Sequence, residues 1–384
     1  MASTPSDIPP EFAGATLRID LDALAANYRL IRDCAAPARA AAVIKARGYG
    51  LGAELVGATL YAEGCRDFFV AMPGEAVPVL AALPAAARVF VLNGLLPGAE
   101  EACAALGAIP VLNSLDQIAR WSACAKARGE MLPAAVQVDS GMSRLGLSPE
   151  ELAILMAEPE RLGGIDLLLV MSHLACADTP EAEANTAQAT RFAAMAEAFP
   201  GVPRALDNSA GSFLPRGHFD LVRPGIALYG GAPYEGENPM RAVVSLEARL
   251  VQTRKVPAGT GVGYGLTHVT TRETTVATIP VGYADGWPRH LSGVGAVYLG
   301  GHRAPILGRV SMDSMTVDVT DVPEVHIYPG APVELIGPHQ SLDQVAGDAG
   351  TISYEILTQL GPRYHREIVP VQAPAQAPER SDAA

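Results

Sequence analysis

No two of the five cysteines (Cys34, Cys65, Cys103, Cys124, Cys176) stand at Cys-x-x-Cys spacing, and their number is odd. That pattern offers neither a disulfide framework nor a zinc site, so buried thiols in a reducing compartment are expected. Positive charge is also short, with a formal net charge of -13 at pH 7. Such a surface repels phosphate, which argues against nucleic acid or an anionic membrane as partner and leaves small anionic ligands to local charge. The opening MASTPSDIPPEF lacks the basic start and apolar core of a signal peptide. No apolar run is long enough to cross a bilayer. A cytoplasmic protein without a metal is expected, with residues 1–14 and the Pro- and Ala-rich 373–384 disordered.

What is present is material for a large core. Of 384 residues, 49% are hydrophobic and 18% charged, which suits a barrel plus a second domain. ATLRIDLDALAANYRLIRD opens with a strand and then a helix capped by Asp20 or Asp22, with Leu24, Tyr28 and Ile31 on one face. Eight stretches follow that read as strands: AAVIKA, DFFVAM, RVFVLNG, IPVLNS, AAVQVDSG, DLLLVMSH, PRALDNS and LVRPGIALYG. Helix-like segments lie between them, and this alternation predicts an α/β fold, a closed (β/α)8 TIM-type barrel over residues 15–240. An open doubly wound sheet is the alternative, for which GYGLGA is a poor Gly-x-Gly-x-x-Gly turn. Beyond residue 240, short strands punctuated by Gly and Pro predict a mainly β domain over 241–372, with hardly any helix before SYEILTQL.

Barrels collect their chemistry at the C-terminal ends of the strands. Lys45 closes the first strand, Asp139, Ser140 and Arg144 follow the fifth, and His173 closes the sixth. Asn208 and Ser209 follow the seventh, and Arg223 lies in the eighth. Singly each has an ordinary reading: a core histidine, a solvated arginine, a turn serine. Their convergence on one rim is what gives them weight. The loops after strands seven and eight offer the Ser209 hydroxyl and the N–H groups of Gly225 and Ile226 as a phosphate cradle. Partial desolvation lowers the pKa of a lysine such as Lys45 and suits it to condense with an aldehyde. An aldehyde and a phosphate on one ligand describe pyridoxal 5′-phosphate (PLP).

With those motifs in place the chain resembles the bacterial alanine racemases, from RIDLDALAANY to SYEILTQLGPRYHR. AVIKARGYGLGA is similar to the family's cofactor-lysine motif, and VDSGMSRLG, MSHLACAD, DNSAG, VRPGIALYG, VGYGLT, PVGYADGW and GRVSMDSMTVDVT follow in the family's order. The resemblance implies a PLP barrel, a β domain and a head-to-tail homodimer that supplies D-alanine for peptidoglycan. It implies that Lys45 holds PLP covalently and that Tyr264 reaches in from the partner subunit. Arg223 resembles the arginine at the pyridine nitrogen, while Tyr49, Ser209, Gly225, Ile226 and Tyr354 resemble the phosphate contacts. Arg144 and Met312 match positions at the substrate carboxylate; His173 matches the histidine beside the catalytic tyrosine, and Asp313 has a supporting place. A racemase of serine or of several amino acids, or a non-catalytic PLP-binding barrel, are the alternative readings.

Two departures stand out. Gln137 occupies the place of a lysine that many members carbamylate to steady the arginine, so Arg144 must be held by a bound anion or by the amide itself. Arg47-Gly48 replaces a small polar pair. Racemisation also needs proton-transfer groups on two faces, Lys45 for the D- and Tyr264 for the L-enantiomer by resemblance. A tyrosine pKa near 10 is high for a base, and His173 and Arg223 are the candidate cations to lower it.

Overall fold

The computed structural model describes residues 8–372. Eight parallel strands form the barrel. The first is interrupted at Ala41 (Arg39–Ala40 and Ala42–Val43), and Asp67–Val70, Arg88–Val91, Ile109–Leu112, Leu132–Gln137, Ile165–Met171, Arg204–Ala205 and Leu221–Val222 follow. The curled ladder runs from Ala42–Val43 to Arg204–Ala205. Closure comes from the last strand, which pairs in parallel with Arg39–Ala40, while Arg223 N–H bonds the Asp207 carbonyl at 2.8 Å. These strands are almost wholly apolar because both their faces are covered, by helices outside and packed side chains within.

The opening strand differs from expectation. Ala15–Asp20 lies outside the barrel, antiparallel to Val244–Arg249 and parallel to His365–Val369 in a nine-stranded sheet. Its alternating burial, Leu17 and Ile19 in and Arg18 out, suits a sheet with one covered face rather than a barrel stave. The helix Leu21–Ala35 then returns to the barrel. Asp20 caps it, accepting from Ala23 N at 2.8 Å, and Leu24, Tyr28 and Ile31 are buried on its inner face. The Tyr28 hydroxyl donates to the Ala40 carbonyl, which pins this helix over the first strand.

Three further expectations are corrected. The seventh and eighth strands are followed by single 3₁₀ turns, Gly211–Phe213 and Ile226–Tyr229, where full βα units were expected. A helix at Leu342–Asp348 precedes Ser353–Gln359 and was missed, although Ser341 caps it by accepting from Gln344 N. Residues 8–14, expected to be disordered, are placed: Phe12 N–H bonds the Pro9 carbonyl, and the Ile8 carbonyl accepts from His365 Nδ1 at 2.8 Å. The rest of the disorder expectation, residues 1–7 and 373–384, lies outside the described residues.

The connection between barrel and β domain is tied down by one carboxylate. Asp343 accepts from Ala232 N and Asn238 Nδ2 of the connection, and from the Ser353 hydroxyl. That anchors Ser353–Gln359, and with it Tyr354, against the mouth of the barrel. Among the described residues no helix is long and apolar enough to cross a membrane.

Candidate active site

A cavity of about 640 Å³ opens at the C-terminal end of the barrel. Lys45, Tyr49, Arg144, His173, Ser209, Arg223, Gly225 and Tyr354 line it, together with Gln137 and Asn208. Residues from five barrel loops and from the β domain thus meet in one place. Ile226 does not line it; its side chain is buried behind the cradle.

Lys45 follows the first strand instead of closing it. Residues 46–50 run through positive φ values of 52, 58, 63, 53 and 85°, a left-handed turn that begins at the lysine. Ala46, Arg47 and Tyr49 have side chains, and such backbone costs roughly 1–2 kcal/mol per L-residue, so surrounding contacts must enforce it. Burial holds the Lys45 amine below the ordinary lysine range; the Arg144 guanidinium adds to this and Glu75 opposes it. A lowered lysine is the nucleophilic and basic form that the sequence suggested.

The opposite wall is cationic and dry. Arg223 is 3% exposed; its Nη2 donates to the carbonyls of Ser172 at 2.5 Å and Leu206 at 3.2 Å, and lies 3.4 Å from His173 Nδ1. Its Nη1 is buried without a partner, an orphan donor whose cost a ligand acceptor removes. Burial lowers Arg223 to about 10, opposed by Asp207, so it stays charged at neutral pH. Burial, then Arg223, Arg144 and Lys45, depress His173 to about 3. His173 is therefore neutral, which corrects its nomination as a cation; of the two candidates only Arg223 carries charge.

The third wall is the anion cradle. Ser209 Oγ accepts from Gly225 N at 2.8 Å and from Ala227 N at 3.4 Å, which fixes the turn after the eighth strand. Gly225 is required, because a Cβ there would lie 2.2 Å from the Tyr49 hydroxyl. The Tyr49 ring stacks on Tyr229 at 4.4 Å, with Tyr354 6.0 Å away on the outer side. Tyr229, whose hydroxyl donates to the Val43 carbonyl, went unnoticed in the sequence, although it sits in the quoted VRPGIALYG. Orphan arginine donor, lysine amine and hydroxyl-plus-amide cradle in one cavity are the set that PLP requires.

Arg144 stands at the rim, exposed and without an ion pair among the described residues. Its loop is well made. Asp139 accepts from the N–H groups of Gly141, Met142 and Ser143; burial works against its charge, but these donors and Arg191 outweigh it and hold the carboxyl below its usual value. Gln137 Nε2 donates to the Leu145 carbonyl at 3.0 Å, so the amide holds the backbone beside Arg144 and not its guanidinium.

Besides Ile226, three nominated residues do not line this cavity. Tyr264 is 71% exposed and Met312 53% exposed, both on the β domain, and Asp313 is engaged by Arg363 at 2.7 Å. Tyr264 heads the 3₁₀ turn Tyr264–Leu266 at the tip of a two-stranded ribbon, Gly261–Val262 with His268–Val269.

Comparison with known proteins agrees along nearly the whole chain. A family model described as alanine racemase, N-terminal domain, matches residues 19–233, and one described as alanine racemase, C-terminal domain, matches residues 243–368. A catabolic alanine racemase of Agrobacterium fabrum is 53% identical over 368 residues, 95% of each chain. An alanine racemase of Rhodospirillum rubrum is 51% identical over 358 residues, 92% of this chain and 96% of that one. The crystal structure of alanine racemase from Bartonella henselae with covalently bound pyridoxal phosphate superposes with a TM-score of 0.90 at 44% identity, covering 93% of this chain and 100% of that one.

Proposed function

The chain belongs to the alanine racemase family and is a PLP-dependent isomerase of alanine, and from that premise we propose that Lys45 and Tyr264 move the α-proton on opposite faces of the substrate, Tyr264 coming from a second copy of the chain. When bound, PLP spreads into its ring the negative charge left by loss of that proton. The burial of Lys45 raises the fraction of neutral amine at physiological pH, which a base needs. Arg223 Nη1 is the donor for the pyridine nitrogen. A permanently charged arginine leaves that nitrogen without a proton of its own, which weakens the ring as an electron sink and keeps transamination low. Ser209, Gly225, Ile226, Tyr49 and Tyr354 hold the phosphate, and Arg144 with Met312 of the partner subunit takes the substrate carboxylate.

One observation carries this reading: a desolvated lysine amine shares a cavity with a buried arginine that has a donor to spare. Exposure of Tyr264, Leu266 and Met312 on the β domain supports a homodimer that completes the site. We place the reaction in the cytoplasm and keep D-alanine supply for peptidoglycan as its use. The catabolic designation of the Agrobacterium fabrum relative makes alanine breakdown the rival use. A deletion strain that grows without added D-alanine decides for breakdown.

Incubation of the pure protein with L-alanine must yield D-alanine, and borohydride must abolish a yellow chromophore; absence of that chromophore removes every PLP reading. Equal turnover of L-serine widens the substrate class. For the two faces, Tyr264→Phe sharply lowers racemisation but lets D-alanine exchange its α-hydrogen with heavy water through Lys45. Equal exchange of both enantiomers in that variant defeats the two-base assignment.

A further inference from the structure

We propose that Glu75 is a positioning residue for Lys45: its carboxylate pins the left-handed turn that begins at the lysine to the loop after the second barrel strand. Glu75 Oε1 accepts from Ala46 N at 2.7 Å, while Oε2 accepts from Ala71 N at 2.7 Å and Met72 N at 3.1 Å. The Ala46 N–H belongs to the peptide that joins it to Lys45, so fixing it fixes the direction in which the lysine side chain leaves the backbone. The turn does not satisfy this group itself. Its internal bonds include those from the N–H groups of Gly48, Gly50, Leu51 and Gly52, accepted by Ile44, Ala46, Gly48 and Arg47, while the Ala46 N–H goes to Glu75. Without Glu75 the Ala46 N–H is left unpaired at the start of a strained segment.

A carboxylate suits this place because both its oxygens only accept, and all three neighbours donate. An amide has one accepting side, so Gln must give up either the turn or the loop. The far end of the turn is gripped from the β domain, where Arg366 Nη1 donates to the Gly50 carbonyl at 2.9 Å. No side chain fits at Gly50, since a Cβ would lie 2.5 Å from the Leu357 carbonyl oxygen. Each domain thus holds one end of the turn, and Glu75 holds the end that carries the amine.

The inference rests on Lys45 as the reacting amine, and the test separates the two. Borohydride reduction of the wild-type holoenzyme followed by peptide mapping must place the tether on Lys45; a tether elsewhere sinks the functional reading itself. Amide hydrogen exchange is then compared in wild type, Glu75→Gln, Glu75→Ala and Ser114→Ala, the last removing an N-cap from Leu115–Arg128, a helix away from the turn. In Glu75→Gln, amides of residues 45–52 exchange about tenfold or more faster, with the strand Ile165–Met171 unchanged. Heavy-water exchange of the D-alanine α-hydrogen falls about tenfold or more in the same variant, because a misdirected base loses its alignment. Ser114→Ala moves neither quantity. Should Glu75→Ala fail to fold, Glu75→Gln carries the test alone. Unchanged turn exchange, acceleration spread evenly through the barrel, or a faster turn with undiminished alanine exchange each overturns the positioning role.

Discussion

Two tyrosines sit in the same tripeptide, Gly48-Tyr49-Gly50 and Gly263-Tyr264-Gly265, and the fold treats them in opposite ways. All four glycines have positive φ, so each supplies the backbone freedom of a tight turn. Tyr49 is 3% exposed, stacked on Tyr229 inside the barrel mouth. Tyr264 is 71% exposed on a ribbon tip beside Leu266, itself 63% exposed. The tripeptide sets conformation; neighbours set burial. In the proposed dimer a phenol this exposed beside large apolar groups is one half of a contact, whereas the buried phenol already has its neighbours within the chain.

The sharpest way to break that comparison is subunit mixing. Lys45→Ala and Tyr264→Phe each lower racemisation by about 10²–10⁴-fold, the usual loss for removal of an acid–base group. Co-assembled in equal amounts, half of the dimers are mixed, and each mixed dimer has one site with both residues intact. About a quarter of wild-type activity therefore returns if the symmetric dimer places Tyr264 in the partner's site. A mixture as inactive as its parents shows that Tyr264 serves its own chain or none.

Arg223→Glu comes next, because it changes the buried half alone. A carboxylate there faces the Ser172 and Leu206 carbonyls that now accept from the guanidinium, so stability falls by about 3–5 kcal/mol in a denaturant titration. What folds gives more pyruvate from alanine relative to racemisation, since the ring nitrogen keeps a proton. An unchanged ratio refutes the electron-sink argument. Gly225→Ala is smaller: its Cβ displaces the Tyr49 hydroxyl and narrows the cradle. PLP retention on dialysis falls by about ten- to a hundredfold, as for loss of one or two charge-assisted bonds. Tyr264→Phe, on the open side, leaves retention unaltered.

The same contrast explains what the sequence disclosed. The barrel was legible because buried parallel strands read as apolar runs, and their polar ends, Lys45, His173, Ser209 and Arg223, converge by topology. The turn after Lys45 was not, since nothing in Ala46-Arg47 forecasts left-handed backbone that distant contacts enforce. The charge state of His173 depends on its burial first and then on three cations from separate segments, a sum that no local pattern contains. Glu75 reads locally as an ordinary residue of a helix's first turn, and only the fold brings Ala46 to it. The opening strand was assigned by sequence proximity, while its partners lie more than two hundred residues away.

The smallest effect concerns whether the buried half is complete by itself. Gln137 is 6% exposed, and its amide steadies Leu145 next to Arg144. In Gln137→Lys the new amine is buried near a guanidinium, which favours its neutral form, the form that adds carbon dioxide. The resulting carbamate carries a negative charge beside Arg144 and stands in for the lost anchor. The KM for alanine is expected to rise about threefold in buffer free of carbon dioxide and to return with bicarbonate, with kcat unmoved, the size of a partly exposed charge pair. A rise that bicarbonate leaves untouched assigns the residue's role to its grip on the Leu145 carbonyl. A bicarbonate response shows instead that this cup orients Arg144 equally well by charge or by backbone.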